Sequence, residues 1–267
     1  MPERAQVFPV RMDGSRVSQS DAYQVRAVAF LDILGFSRLV AEADDPGLRA
    51  AILEAVRVMR DTLAPNEASD FRFTQFSDCT VLSARLDAYG CNLVMTGAIM
   101  LAVNLLNRGL LLRGGIAVGN MIHTSEVMFG PGFLAAFGKD THGAMPRIAI
   151  DASLVDEIAG WPNDFGLESL IWRDPYDLSP MLHTLHDYET YDAVRRPGGL
   201  VLEGNAAMLA EMIASQCYSS EHVPPVVAKW IWMERYWNES VSALGILSKT
   251  DAFAAKIQRQ AQAASTR

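Results

Sequence analysis

Apolar and polar positions alternate between two periods along this chain, and the alternation predicts its elements. Tyr23 to Asp32 predicts the first strand, and its apolar run, Val28 to Leu31, predicts that it is buried. Asp44-Asp45-Pro46-Gly47 then announces a helix, with an acid at the cap and proline at the first helical position. Leu48, Ile52, Ala55, Val56, Met59 and Leu63 recur on one face of it, and Pro65 stops it. Phe71 to Ser77 and Thr80 to Ala84 predict a hairpin with Asp78 at its tip. Asp87 caps a long helix, apolar on most faces, that runs to about Arg108 and is closed by Gly109. Leu110 to Met121 predicts a strand that another backbone kinks or approaches at Gly114 and Gly115.

A short strand through Phe129, a helix through Phe133, Leu134, Ala136 and Phe137, and a strand over Arg147 to Ile150 follow. Hairpins interleaved with helices predict an α+β fold, a mostly antiparallel sheet with helices packed on it, rather than a doubly wound parallel sheet. Beyond Ile150 the pattern loosens, with short strands expected near Leu167 to Trp172 and Pro180 to Leu185. Helices return at Asn205 to Tyr218 and about Pro225 to Leu247. The second carries an aromatic-heavy stripe (Val227, Trp230, Ile231, Trp237, Val241, Leu244) suited to core packing first and a dimer contact second. The expected organisation is an N-terminal arm (1–22), a domain over 23–150, and a C-terminal extension (151–267) packed on it, with no internal repeat.

The chain's 267 residues suffice for a sizeable core; 50% are hydrophobic and 20% charged. A net charge of −8 without basic clusters argues against nucleic acid as partner. Cys79, Cys91 and Cys217 lack metal-ligand spacing and fit a reducing compartment. The first residues lack the order of a signal peptide, and the apolar run from Cys91 to Leu106 is short of a bilayer span. The expected location is the cytoplasm.

Candidate chemistry centres on Phe30-Leu31-Asp32-Ile33-Leu34-Gly35-Phe36-Ser37. A strand delivers a carboxylate, Gly35 permits a tight turn, and the next backbone N–H groups begin a helix, a suitable place for a metal and a phosphate chain. An acid after a strand is also the usual cap or turn residue. If the first strand lies beside the hairpin, Asp32 and Asp78 converge, and two carboxylates with a backbone carbonyl form a ligand set that Mg²⁺ or Mn²⁺ prefers.

Phe30 to Ser37 resembles the F-x-D-I-x-G-F-[ST] signature of class III nucleotide cyclases. Phe76-Ser77-Asp78 resembles their second metal-ligand motif, and Leu112-Arg113-Gly114-Gly115-Ile116 through Gly119 resembles the following R-x-G-I-x-x-G strand. The likeness covers about Val25 to Ile150. It is closer to the pyrimidine cyclases of bacterial Pycsar antiphage systems, on Phe129-Gly130-Pro131-Gly132-Phe133-Leu134, Pro146-Arg147-Ile148 and the late helix Lys229-Trp230-Ile231-Trp232-Met233 through Asn238.

The resemblance implies cyclisation of UTP or CTP to the 3′,5′-cyclic monophosphate with release of pyrophosphate. It implies two Mn²⁺ or Mg²⁺ ions held by Asp32, Asp78 and the Ile33 carbonyl, and N–H groups of Leu34, Gly35, Phe36 and Ser37 around the phosphates. It further implies a homodimer with sites between the chains, the first helix and the late aromatic helix as candidate contacts, and a separate cyclic-nucleotide-gated effector. The Asn and Arg of purine cyclases fall at Leu134 and Gly138, and the base-selecting lysine of adenylate cyclases at Thr74. The second base-selecting position falls near Val127. Arg113 or His123 is then the candidate source of the missing positive charge. For Arg113 the alternative is a strand arginine on a structural carboxylate, and for His123 a surface loop histidine. A purine cyclase and a catalytically inactive cyclase-like dimeric sensor are the competing readings.

Overall fold

Ten consecutive residues, Gln24–Ile33, form the central strand β1, buried from Arg26 onward apart from the half-covered Asp32. The computed structural model describes residues 22–62, 70–141, 145–189 and 199–242. The expected N-terminal arm, Pro65 and the tail from Thr250 therefore lie outside the described residues, save Ala22. After β1 come α1 (Phe36–Ala41), α2 (Pro46–Thr62), the hairpin β2 (Arg72–Phe76) and β3 (Cys79–Arg85), and α3 (Ala88–Leu106). Then follow β4 (Leu112–His123), β5 (Met128–Phe129), α4 (Pro131–Thr141), β6 (Ile148–Ile150) and α5 (Ala152–Ala159). A 3₁₀ turn at Leu167–Leu170 leads to β7 (Ile171–Arg173), β8 (Pro180–Leu182), α6 (His186–Glu189), α7 (Gly199–Ser219) and α8 (Pro224–Ser242).

The sheet order is β2-β3-β1-β4-β6-β8-β7, with β5 paired to the end of β4. Among the described strands only β4 and β6 pair in parallel; the other pairs are antiparallel. This is the expected α+β arrangement. The sheet does not end at Ile150, because β8 and β7 extend it beyond β6.

The two faces of β1 account for its unbroken apolar run. Ala27, Ala29, Leu31 and Ile33 point into the main core with Met59 of α2 and Val94, Met95, Ala98 and Leu101 of α3. Val28 and Phe30 point the other way, toward Ala117, Met121 and Ala136 beneath α4. A strand covered on both sides gains nothing from alternating polarity. α3 begins where Asp87 accepts a 2.8 Å bond from the Gly90 amide. Its 19 residues are long and apolar enough to cross a bilayer, unlike the shorter run expected, but their apolar side packs on β1 and β3.

Two glycine contacts bring α4 close to the sheet. A Cβ on Gly119 would lie 2.6 Å from the Gly132 Cα, and one on Gly115 would lie 2.5 Å from the Ala136 carbonyl oxygen. The strand glycines thus mark close backbone approach rather than a kink. The late helices form a second cluster in which Trp230, Trp232, Tyr236 and Trp237 meet Leu209, Ile213, Leu185 and Tyr188. Of the α8 stripe, Trp230, Trp237 and Val241 are therefore buried inside their own chain, as core packing, Val227 and Ile231 are half-buried, and Leu244 lies outside the described residues. Trp232 donates to Asp174, which also pairs with Arg147 at 2.8 Å, tying α8 to the lead-in of β6.

Candidate active site

Register decides what surrounds Asp32. On β1 it lies opposite Cys79 of β3 on one side and Arg113 of β4 on the other. Phe76 pairs with Cys79, so Ser77 and Asp78 form a two-residue turn at the same end of the sheet, Ser77 taking a left-handed φ of 54°. A ligand atom from each of Asp32, Asp78 and Cys79 falls within 4.8 Å of the others. The two expected carboxylates therefore do meet.

Their chemistry suits a hard cation. Partial burial pushes the Asp78 carboxyl above its usual range, and hydrogen bonding to and repulsion from Asp32 add to the shift. Two carboxylates this close resist joint ionisation unless a cation joins them, and carboxylate oxygens are what Mg²⁺ and Mn²⁺ prefer. The Cys79 thiol, 3.7 Å from Asp32 Oδ1, is a soft neighbour at the rim of that oxygen set. Cys79 escaped the sequence reading as a site neighbour, although a two-residue turn after β2 would have placed it beside Asp32.

Arg113 supplies a cation of its own. Its Nε and Nη2 donate to Asp32 Oδ2 at 3.1 and 2.9 Å. The strand-arginine expectation for Arg113 is thus met on a carboxylate that is also the candidate metal ligand.

One of the four amides that the resemblance implied for a phosphate cradle is already bonded within the fold. The Leu34 amide donates to the Leu111 carbonyl at 2.9 Å and is committed to holding the end of β1 beside the start of β4. Leu34 therefore offers no free N–H. Gly35, with φ of 81°, turns the chain into α1 without a side-chain cap, and the space a Cβ would take there is open. No hydrogen bond to another described residue engages the amides of Gly35, Phe36 and Ser37, as the first turn of a helix leaves them.

Thr74 and His123 lie further along the same face. Thr74 pairs with Val81, and Val81 with Phe30, so Thr74 stands roughly 10 Å across the sheet from β1. Its hydroxyl meets His123 Nε2 at 2.9 Å, and His123 Nδ1 meets the Ser83 hydroxyl at 2.8 Å. His123 is no surface histidine, being only 7% exposed. Burial, with Arg26 and Arg72 close by, holds its pKa down at about 4. It is neutral at pH 7, so it does not supply the missing positive charge. Leu134 and Gly138 line an open groove of about 500 Å³ on α4, shared with Lys139 and Arg147. Those two cations pair with Asp151, and with Asp174 and Asp177, respectively.

No protein-family model and no curated protein matches this chain. Among solved structures, the adenylyl cyclase CyaB from P. aeruginosa is similar at 16% identity and a TM-score of 0.45, covering 60% of this chain and 92% of its own. An adenylate/guanylate cyclase/hydrolase from Silicibacter pomeroyi is similar at 14% identity and a TM-score of 0.39, over 60% and 94%. The catalytic core of a rhodopsin-guanylyl cyclase with converted specificity is similar at 13% identity and a TM-score of 0.39, over 60% and 93%.

Proposed function

We propose that this chain is a metal-dependent pyrimidine nucleotide cyclase. It converts UTP, or CTP, to cyclic UMP or cyclic CMP plus pyrophosphate, as a homodimer whose product signals to a separate cyclic-nucleotide-gated effector in antiphage defence. The observation that carries the reading is the convergence of Asp32 and Asp78 at one end of the sheet, beside the free amides of Gly35, Phe36 and Ser37. The motif resemblance of Phe30 to Ser37 and of Leu112 to Gly119 supports it.

Asp32, Asp78 and the Ile33 carbonyl are the groups that would hold two Mn²⁺ or Mg²⁺ ions. Bound there, the ions supply Lewis acidity for the attacking hydroxyl and positive charge for the leaving pyrophosphate. The residues themselves position the substrate. The amides of Gly35 to Ser37 donate to phosphate oxygens, and Arg113, beside Asp32, is within reach of the same phosphates. In the cyclisation the ribose 3′-oxygen bonds to the α-phosphorus, the bond to the β-phosphate bridging oxygen breaks, and the hydroxyl proton leaves to solvent. Thr74 with its neutral partner His123 gives the base a polar, uncharged edge, which supports a pyrimidine better than an adenine read by a lysine.

The second reading is an inactive dimeric sensor, favoured by Leu134 and Gly138 where an Asn and an Arg would serve catalysis. Purified protein incubated with Mn²⁺ and each ribonucleoside triphosphate, with products read by mass spectrometry, separates the two. Cyclic UMP or cyclic CMP is expected. Asp32→Ala and Asp78→Ala are each expected to lower the rate by about 10²-fold or more with the fold retained, as losing several kcal/mol of charge stabilisation implies. Cyclic AMP or cyclic GMP would overturn the base assignment, and product from both variants at the normal rate would overturn the site.

A further inference from the structure

Lys229 of α8 has a setting that core packing does not explain. Its neighbours on the helix, Val226, Trp230 and Met233, pack in one cluster with Leu34 and Leu111, the residues that join the end of β1 to the start of β4. Met233, one turn on, also lines a small cavity with Leu111 and Leu112. The edge of α8 that carries Lys229 therefore runs past the approach to Arg113. Arg113 is the charged group whose repulsion Lys229 feels, after partial burial as the larger effect, and both favour its neutral form. Among the described residues Lys229 has no anionic partner and makes no side-chain hydrogen bond. A half-buried lysine held near a second cation, with no carboxylate among the described residues to pair with it, is unfavourable unless an anion arrives.

We propose that Lys229 binds the terminal phosphates of the nucleotide and then the departing pyrophosphate, so that α8 contributes a substrate-binding group to a site otherwise built by β1, β3, β4 and α1. The chemistry fits at three points. A lysine ammonium is a compact point charge, and phosphate oxygens are among its preferred partners. The Asp32–Asp78 pair repels a triphosphate, and Arg113 is largely occupied by Asp32, so a further cation is needed on the phosphate side. Leu34, which packs in the same cluster as α8, directly precedes Gly35, the first of the three amides left without a described partner.

The inference rests on the nucleotide reading, and the test separates the two. Binding of inorganic pyrophosphate, UTP and UMP in Mg²⁺ is measured by calorimetry for the full chain and for Lys229→Met, Lys229→Gln and Lys229→Arg. Both neutral variants are expected to weaken pyrophosphate and UTP about tenfold or more, as loss of a charged hydrogen bond implies. UMP binding and the melting temperature should stay unchanged, and Lys229→Arg should restore most of the affinity. A structural role would move the melting temperature and leave the contrast between UTP and UMP intact. Neutral variants that bind pyrophosphate as the wild type does overturn the role of Lys229 alone. Failure of the wild type to bind either polyphosphate overturns the nucleotide reading and this inference with it.

Discussion

His123 shows how burial turns an ordinary titratable residue into a neutral one with a measurable consequence. Its pKa is about 4 in the fold, and the unfolded chain restores a value near 6.5. Between those values the unfolded state binds the extra proton, so the contribution is full above about pH 6.5 and is lost as pH falls toward 4. Arg26 and Arg72 sharpen the effect, because an imidazolium at this position would face two guanidinium groups. Denaturation at pH 7 and pH 5 should differ by about 2 kcal/mol on account of His123. His123→Gln, which keeps polar atoms toward Thr74 and Ser83, should remove that share of the slope. An unchanged slope would mean that His123 is solvated and free to charge.

At the level of elements, the seating of α4 on β4 depends on the absence of side chains. Gly119 has ordinary strand torsions, and alanine would otherwise be preferred there, so substitution reports on the contact with Gly132. Gly119→Ala should cost about 1–3 kcal/mol and lower the melting temperature by several degrees, because the added carbon meets backbone that cannot rotate away. Gly138, further along α4, has open space at its Cβ position. Gly138→Ala should raise stability by up to about 1 kcal/mol, the helix-propensity gain alone. Thermal melts of the pair test whether close packing, rather than glycine content as such, sets the position of α4. Equal effects of the same sign would contradict it.

For the whole molecule, the distribution of exposed apolar groups bears on assembly. The α8 aromatics are interior, but Leu134 is 65% exposed and Phe137 41%, both on α4. That helix packs on the face on which Asp32, Asp78 and Thr74 lie. A homodimer closed over this face would cover both the apolar groups and the open groove beside Leu134. Sedimentation should give a dimer for the wild type and a monomer for Leu134→Glu, with the melting temperature retained and product formation lost. A monomeric wild type that still cyclises nucleotide would overturn the shared site.

Much of the fold was legible in the sequence because its signals are short-range. Capping acids, strand runs and helical stripes placed β1, the β2–β3 hairpin, α3 and the start of α8 within a few residues, and Gly114 and Gly115 announced either a kink or a close approach. Asp32 and Asp78 were legible as a pair because one ends a strand and the other tips a hairpin. Tertiary structure decided what those residues meet. Arg113 reached Asp32, Cys79 joined the acids, and Leu111 took the Leu34 amide, all through strand register set by long-range pairing. Burial of His123 and of the α8 aromatics followed from how β4 and the late helices pack, and the same packing carried Lys229 toward Arg113. Periodicity says which face of an element is apolar; only the assembled chain says what lies against it.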